Sequence, residues 1–181
     1  ITANRLGDAV LTSGVLAHLV VQYRGAQVTI VCGPHAAGLF RAVPGLERLI
    51  VLQKRPWNAH WVEAWRACAG TRWDLIVDLR NSIVSRLLRA TRRAYRGGAT
   101  GRHKVIENAE ILGLSPPPAP HIWLDAQAER EAAQIIPAGA KILARGPGAN
   151  WACKQWPPER FAALAQKLVG TKELEGASVL I

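Results

Sequence analysis

Two stretches of the 181-residue chain place glycine beside a charged side chain in a pattern that suits chemistry on a bound ligand. In the first, Gly7-Asp8 opens an apolar helical pattern, and Thr12-Ser13 follow about one turn later. At the carboxyl end of a first strand, where open α/β sheets bind ligands, Asp8 would act as a general base, and Thr12 and Ser13 would line the same cleft. The alternative is that Asp8 caps the helix and interacts with its dipole.

The second stretch runs from Arg145 to Phe161 and contains Gly146-Pro147-Gly148 and Lys154. A glycine-rich turn between a strand and a helix exposes backbone N–H groups, and the helix dipole favours an anion there. Lys154 adds a positive charge that suits a phosphate. Neither the P-loop pattern nor GxGxxG is present, and the alternative is a plain turn with an exposed lysine.

The charge of the chain is unevenly distributed. It has 23 Lys+Arg against 13 Asp+Glu, which gives a net charge of +10 and predicts a polyanionic partner. Most of the excess lies in one stretch with no acidic residue before Glu107, which contains Arg80, Arg86, Arg89, Arg92, Arg93, Arg96, Arg102 and Lys104. This stretch is either a solvated helix face or a surface for a polyanion such as phospholipid or a phosphorylated sugar. Nucleic acid is the competing polyanion, but no recognition motif supports it.

The elements that position these residues are short apolar strands alternating with amphipathic helices, which is the rhythm of βαβ units and a parallel sheet. Nearly continuous apolar strands indicate burial on both faces. The predicted strands are Val28–Cys32, Leu49–Leu52, Leu75–Val77 and Ile142–Ala144; the main predicted helices are Asp8–Tyr23, Asn81–Thr91, Val105–Leu112 and Asp125–Ile136.

The tryptophan, cysteine and apolar patterns indicate which kinds of site and segment the chain lacks. Trp57, Trp61 and Trp65 recur at helical spacing, and this favours core packing over a membrane-facing stripe. The three cysteines show no CxxC spacing, which predicts no zinc site, no disulfide framework and mostly buried, inert thiols. No apolar run reaches the ~18 residues that a membrane span needs, and no signal peptide is visible.

A proline-rich stretch, Ser115–Pro120, marks a stiff linker. We therefore predict a first domain over residues 1–115, a linker over 116–137 and the beginning of a second α/β domain over 138–181. The absence of methionine and a final strand that stops as it starts lead us to expect that the second domain is truncated.

The two motifs, in this order, resemble glycosyltransferase family 9, the bacterial heptosyltransferases of lipopolysaccharide core assembly. The resemblance covers essentially the whole chain and rests on Gly7-Asp8-Ala9-Val10-Leu11-Thr12, Pro147-Gly148-Ala149, Lys154, Trp156-Pro157 and Glu159-Arg160-Phe161. Asp74–Leu79 and His103 also resemble family features. The chain departs from the family pattern in a nearly absent first strand and in Gly14, where proline is common.

The resemblance implies an α/β chain of GT-B fold, with a Rossmann-like N-terminal domain on the acceptor side and the start of a second, nucleotide-sugar-binding domain. It implies an inverting transfer of heptose or a related sugar, with ADP-heptose as the expected donor and a lipopolysaccharide core-type acceptor. Asp8 would deprotonate the acceptor hydroxyl. The implied donor-phosphate contacts are Lys154, Gly148 and Ala149; the implied acceptor contacts are Thr12, Ser13, Arg80, Arg86 and His103.

The resemblance also sets expectations for partners. No metal or other cofactor is expected, because the nucleotide-sugar is a co-substrate. The expected location is cytoplasmic, with peripheral contact to an anionic inner-membrane surface and no nucleic acid partner. The alternative function is a non-catalytic basic α/β module that binds anionic lipid or nucleic acid. The residues do not identify the sugar, the nucleotide or the acceptor.

Overall fold

Parallel strand pairs and the helices between them make up the chain in the computed structural model, which describes residues 1–95, 97–98, 100–149 and 151–181. Arg96, Ala99 and Asn150 lie outside the described residues. The chain divides into two units, Ile1–Asp125 and Ala126–Ile181. The division falls inside the segment 116–137, so the proline-rich stretch belongs to the first unit and the helix after it to the second.

The first unit begins with α1 (Leu6–Gln22), β1 (Val28–Cys32), a 3-10 helix (Pro34–Phe40) and β2 (Leu46–Val51). It continues with a 3-10 turn (Pro56–Asn58), α2 (His60–Ala69), β3 (Trp73–Asp78), α3 (Val84–Leu87), β4 (Ala90–Tyr95) and α4 (Lys104–Glu110). The second unit contains α5 (Ala126–Ile135), β5 (Ile142–Ala144), a 3-10 turn (Ala152–Lys154), α6 (Pro158–Val169) and β6 (Ser178–Leu180). The strand pairs β1–β2, β3–β4 and β5–β6 are all parallel.

Residues Ile1 and Thr2 connect the two strand pairs of the first unit. The Ile1 amino group donates to the Val77 carbonyl oxygen at 2.7 Å, and the Leu79 N–H donates back to the Ile1 carbonyl oxygen at 3.0 Å. On the other side, the Thr2 N–H donates to the Val31 carbonyl oxygen at 2.9 Å. This is the bonding of a very short parallel strand between β1 and β3, so the carboxyl ends of the strands lie along one edge.

Both faces of this sheet are covered, as the nearly continuous apolar strands predict. Successive side chains of a strand point to opposite faces. Accordingly, Ile30 and Cys32 pack with Ala9 and Phe40 in one core cluster, whereas Val31 packs in another. The second cluster joins Val31 to Leu52, Ala64, Cys68, Ile76, Val84 and Leu88.

The predicted helix Asn81–Thr91 is wrong over most of its length. The helical part is the single turn α3, and the arginine-rich residues after it form β4, which pairs in parallel with β3 from Trp73↔Ala90 onward. Two apolar residues predicted to be buried, Ile83 and Leu87, are 66% and 62% exposed. Pairing with a strand that is distant in sequence thus overrides the local helical pattern.

The proline-rich stretch packs on α1. The His121 N–H donates to the Ser13 Oγ at 2.9 Å, which ties the end of the stretch to the helix. A Cβ atom at Gly14 would lie 2.5 Å from the backbone oxygens of Pro118 and Ala119. Glycine at this position therefore has a structural reason, because a side chain would push the stretch away from α1.

Gly14→Ala is expected to lower the free energy of unfolding by about 1–3 kcal/mol, because the methyl group meets backbone that cannot move aside. Gly38→Ala is the matched control, since nothing lies within 4 Å of a Cβ there. Urea denaturation of both variants measures the difference. Equal stability of the two variants would contradict the packing of the stretch on α1.

The cysteines differ in burial: Cys32 and Cys68 are buried, as predicted for most of the thiols, whereas Cys153 is exposed. Burial raises the pKa of the Cys32 thiol from 9.0 to about 11. The unfolded thiol therefore loses its proton first, and the stability of the fold falls as pH rises from about 9 to 11. Urea denaturation at pH values across this range should show a shallower fall in the free energy of unfolding for Cys32→Ala than for the parent protein. An identical fall in the two proteins would show that the Cys32 thiol is not its cause.

Candidate functional site

The carboxyl edge of the first-unit sheet carries the loops that hold the candidate residues. After Ile1 and Thr2 the chain turns through Asn4 and enters α1. The loop that follows β1 lies directly against this turn, because a Cβ at Gly33 would be 2.8 Å from the Asn4 Cα. Gly33 thus allows the two loops to approach closely where the candidate base emerges.

Asp8 lies in the first turn of the 17-residue helix α1 and is half-buried. It does not cap the helix, because Arg5 is the N-cap residue and its side chain makes no capping hydrogen bond. In the part of the chain that the structure describes, no ion pair uses Asp8. The carboxylate is therefore not consumed by a cap or a salt bridge, although it still interacts favourably with the helix dipole.

Asp78 ends β3 and builds the loop after it. Its side chain is fully buried, and its Oδ1 accepts from the Arg80 N–H at 2.9 Å. Its Oδ2 accepts from the Ser82 N–H at 2.7 Å and from the Ser82 Oγ at 2.6 Å. Between Arg80 and Ser82, Asn81 takes a left-handed φ of 55°, which asparagine tolerates better than most residues.

This loop presents Arg80, which is exposed but held from two sides. Its Nη1 donates to the Asn4 Oδ1 at 2.7 Å, and its guanidinium carbon lies 5.0 Å from the centre of the Trp61 ring. Stacking on an aromatic ring restrains a guanidinium without using its N–H donors. Arg80 can therefore still bind an anionic oxygen.

Arg86 is held in a similar way near the same edge. Its Nη2 donates to the Asn81 Oδ1 at 2.8 Å, and its guanidinium carbon lies 5.4 Å from the centre of the Tyr95 ring. Tyr95 is paired with Asp78 at the carboxyl end of β4. Two of the predicted acceptor residues, Arg80 and Arg86, thus share the edge that Asp8 occupies.

Thr12 and Ser13 do not join this edge. Both are buried, and their hydroxyls donate to the carbonyl oxygens of Ala9 and Val10 at 2.7 Å. The Thr12 Oγ1 also lies 2.6 Å from the Thr2 Oγ1, and Thr12 lines a partly open cavity of about 1040 Å³ between β1 and β3. The expectation that these hydroxyls line an acceptor cleft is therefore corrected: they fix α1 within the fold.

His103 serves as the N-cap of α4. Its Nδ1 accepts from the Val105 N–H at 3.4 Å. The neighbouring cations are balanced within the same segment: Lys104 pairs with Glu107 at 3.5 Å, and Arg102 pairs with Glu110. The structure thus gives His103 a local structural task in addition to the predicted contact with an acceptor.

The arginine-rich stretch does not form one patch. Arg93 donates to three backbone carbonyl oxygens, and Arg92 approaches the Tyr23 hydroxyl at 3.4 Å. Arg89 and Arg93 line a cavity of about 410 Å³ at the amino ends of β3 and β4, away from the edge that holds Arg80. Arg96 lies outside the described residues. The stretch is therefore neither one solvated helix face nor one continuous surface for a polyanion.

In the second unit, the loop between β5 and α6 is held by its own side chains. The Gln155 Nε2 donates to the Ala149 carbonyl oxygen at 2.7 Å, and the Arg145 guanidinium donates to the Phe161 carbonyl oxygen. The Trp156 ring packs edge-on against Phe161 with centroids 5.1 Å apart. These contacts give the loop a defined shape at the start of α6.

Lys154 is exposed at the end of the 3-10 turn within this loop, and Gly148 is exposed on it. Asn150, which lies between them in sequence, is outside the described residues. The loop therefore offers a free cation and exposed backbone before a helix that begins at Pro158, an arrangement suited to an anion.

Sequence reasoning missed Asn4 and Gly33 and understated Asp78. An aspartate at the end of a buried strand, followed by Leu-Arg-Asn-Ser, is a turn signal that could have predicted the Asp78 hydrogen bonds. The approach of Gly33 to Asn4 has no local signal, because it depends on strands that are distant in sequence.

Known structures share the fold of this chain, although no protein-family model and no curated relative matches the sequence. A glycosyltransferase family 9 structure from Veillonella parvula DSM 2008 superposes with a TM-score of 0.73 at 18% identity, covering 98% of this chain and 61% of that one. E. coli heptosyltransferase WaaC with ADP gives 0.68 at 16% identity, and covers 98% and 65%. E. coli ADP-heptose LPS heptosyltransferase II gives 0.67 at 16% identity, and covers 98% and 62%.

The chain has the fold of glycosyltransferase family 9 structures. The resemblance to this family, which rests on the two sequence motifs, is thus confirmed for the fold. The chain spans less than two thirds of the length of each of these three structures. As a mixed α/β chain with parallel strand pairs, it also agrees with the predicted fold class.

No group of three or more His, Cys, Asp or Glu side chains in the described ranges is placed to hold a metal ion. Among the helices of the described residues, none is both long and apolar enough to cross a membrane.

Asp78→Ala is expected to lower the free energy of unfolding by about 2–4 kcal/mol, because it leaves three hydrogen-bond donors without their acceptor. Asp74→Ala is the matched control, since Asp74 lies on the same strand with an exposed side chain. Urea denaturation measures both. Similar losses in the two variants would show that the buried carboxylate does not organise the loop.

Proposed function

We propose that this chain is part of an inverting glycosyltransferase that moves heptose or a related sugar from a nucleotide-sugar to a phosphorylated glycolipid of the lipopolysaccharide core type. The observation that carries the proposal is the free, half-buried Asp8 carboxylate at the carboxyl edge of a sheet whose fold matches heptosyltransferase structures. The proposal includes a GT-B fold, with the first unit on the acceptor side and the second unit opening a Rossmann-like donor domain.

In the proposed reaction, Asp8 accepts the proton of the acceptor hydroxyl as its oxygen attacks the anomeric carbon of the donor sugar. The new bond joins the acceptor oxygen to that carbon. The bond between the carbon and the donor phosphate oxygen breaks, and the nucleoside diphosphate leaves with the electron pair. Attack opposite the leaving group inverts the anomeric configuration. One carboxylate suffices for this step, because no covalent intermediate forms on the protein.

Lys154, the exposed backbone at Gly148 and the backbone of the half-buried Ala149 are proposed to hold the donor phosphates. A cation and backbone N–H groups before a helix stabilise negative charge, and this charge grows on the leaving diphosphate during transfer. The ADP in the WaaC structure supports an adenine nucleotide as the donor's leaving group. We expect the reaction to need no metal or other cofactor.

Arg80 and Arg86 are proposed to bind phosphate groups of the acceptor. Each guanidinium is exposed and stacked on an aromatic ring, so it is oriented in advance and keeps free N–H donors. Thr12 and Ser13 leave the proposed acceptor set because they are buried. His103 remains in it as an exposed residue on the basic segment. We further expect a cytoplasmic enzyme.

Asp8→Asn in the full-length protein is expected to lower the transfer rate at least about 100-fold, because the amide cannot accept the acceptor proton. The measurement is turnover of ADP-heptose with a lipopolysaccharide core-type acceptor. Asp74→Asn is the matched control and should keep full activity. Turnover by Asp8→Asn at the control rate would remove Asp8 from the role of base.

Nucleotide binding separates the enzyme from the basic binding module. The enzyme should be stabilised against heat by ADP or a nucleotide-sugar, and Asp8→Asn should keep that stabilisation. A non-catalytic module would show no such stabilisation and would bind generic polyanions with a steep dependence on salt. That pattern would overturn the proposed function.

A further inference from the structure

The most exposed aromatic side chain among the described residues is Trp57, at 99% exposure. It sits in the 3-10 turn Pro56–Asn58, where Trp57 and Asn58 take left-handed φ values of 56° and 57°. The left-handed region is unfavourable for a bulky L-residue. The prediction of core packing, which the tryptophan spacing favoured, is therefore wrong for Trp57. Because its side chain lies in water, packing does not offset the cost of its left-handed backbone conformation, and the fold alone does not explain that conformation.

The helix after this turn continues an apolar surface. The inner face of α2 is buried through His60, Ala64 and Cys68. On its outer side, Val62 is 50% exposed and Trp65 is 40% exposed. Trp57, Val62 and Trp65 are thus three large apolar side chains in water within nine residues of sequence. We call these three residues together with Lys54 and Arg66 the Trp57 surface.

The charge of the Trp57 surface is positive. Lys54, Arg55 and Arg66 are all exposed, and Glu63 is the single acidic residue between positions 54 and 66. Arg55 pairs with Glu63 at 2.6 Å, whereas no ion pair among the described residues uses Lys54 or Arg66. Tryptophan beside exposed cations is the combination that suits the interface of an anionic bilayer, where the indole lies at headgroup level.

We propose that the Trp57 surface docks on an anionic bilayer, with the Trp57 indole among the headgroups and with Lys54 and Arg66 against lipid phosphates. A bilayer fits this surface better than a folded protein, because one protruding indole with a few neighbours offers far less area than a stable protein interface needs. Insertion among lipids needs no complementary shape. The same helix carries Trp61, which lies under Arg80, so the docked surface adjoins the edge of the candidate site.

Flotation with lipid vesicles tests the proposal on the full chain. Vesicles of phosphatidylcholine with one quarter phosphatidylglycerol should bind the protein, and pure phosphatidylcholine should bind it much more weakly. Trp57→Ala should lower the partition coefficient about tenfold, since it removes the inserted ring. Lys54→Gln and Arg66→Gln should each lower it about fivefold.

Trp151→Ala is the matched control, because Trp151 is a 67% exposed tryptophan in the second unit and should leave partitioning unchanged. Trp57→Ala should keep the melting temperature of the parent, since the side chain is in water. The proposal is overturned if the parent does not bind anionic vesicles, or if Trp57→Ala binds as the parent does. The vesicles contain no glycolipid acceptor and no nucleotide-sugar, so this result is independent of the proposed function.

Discussion

The buried carboxylate of Asp78 is the interaction on which the first unit depends most directly. The backbone on either side of it, at Val77 and Leu79, bonds to Ile1 and so joins the two strand pairs. Its side chain meanwhile accepts three hydrogen bonds from the loop that carries Arg80. The join of the sheet and the shape of the candidate site are therefore set at the same residue.

The positive charge of the chain has more than one use. Arg93 serves the fold through three backbone carbonyls, and Arg102 is neutralised by Glu110. Arg80 and Arg86 differ because aromatic rings hold them while their charge stays exposed. The exposed, stacked guanidinium groups thus distinguish Arg80 and Arg86 from Arg93 and Arg102, whose charged groups serve contacts within the chain. Net charge alone does not make this distinction.

Local patterns predicted the elements whose stability is local. The helix predicted from the apolar spacing of α1 and the strand predicted from the β-branched run of β1 lie close to the observed bounds, and Asp8 lies in the first turn of α1. The strand β4 was missed because an arginine-rich segment becomes a strand only when β3 pairs with it. Trp57 was misassigned because helical spacing does not reveal that the helix begins later, at His60.

Thr12 and Ser13 help to hold α1, the helix that carries the proposed base, within the fold. Their positions in α1 fall on the buried side together with Ala9, so their hydroxyls turn inward. The Thr12 hydroxyl lies within hydrogen-bond distance of the Thr2 hydroxyl, in the short segment between β1 and β3. The Ser13 Oγ accepts from the His121 N–H at the end of the proline-rich stretch. A third bond runs from the Asn108 Nδ2 of α4 to the Leu11 carbonyl oxygen at 3.1 Å. Three separate segments thus hold α1 in place. The base that we propose on its first turn would need such support, because proton transfer requires a fixed distance to the reacting hydroxyl.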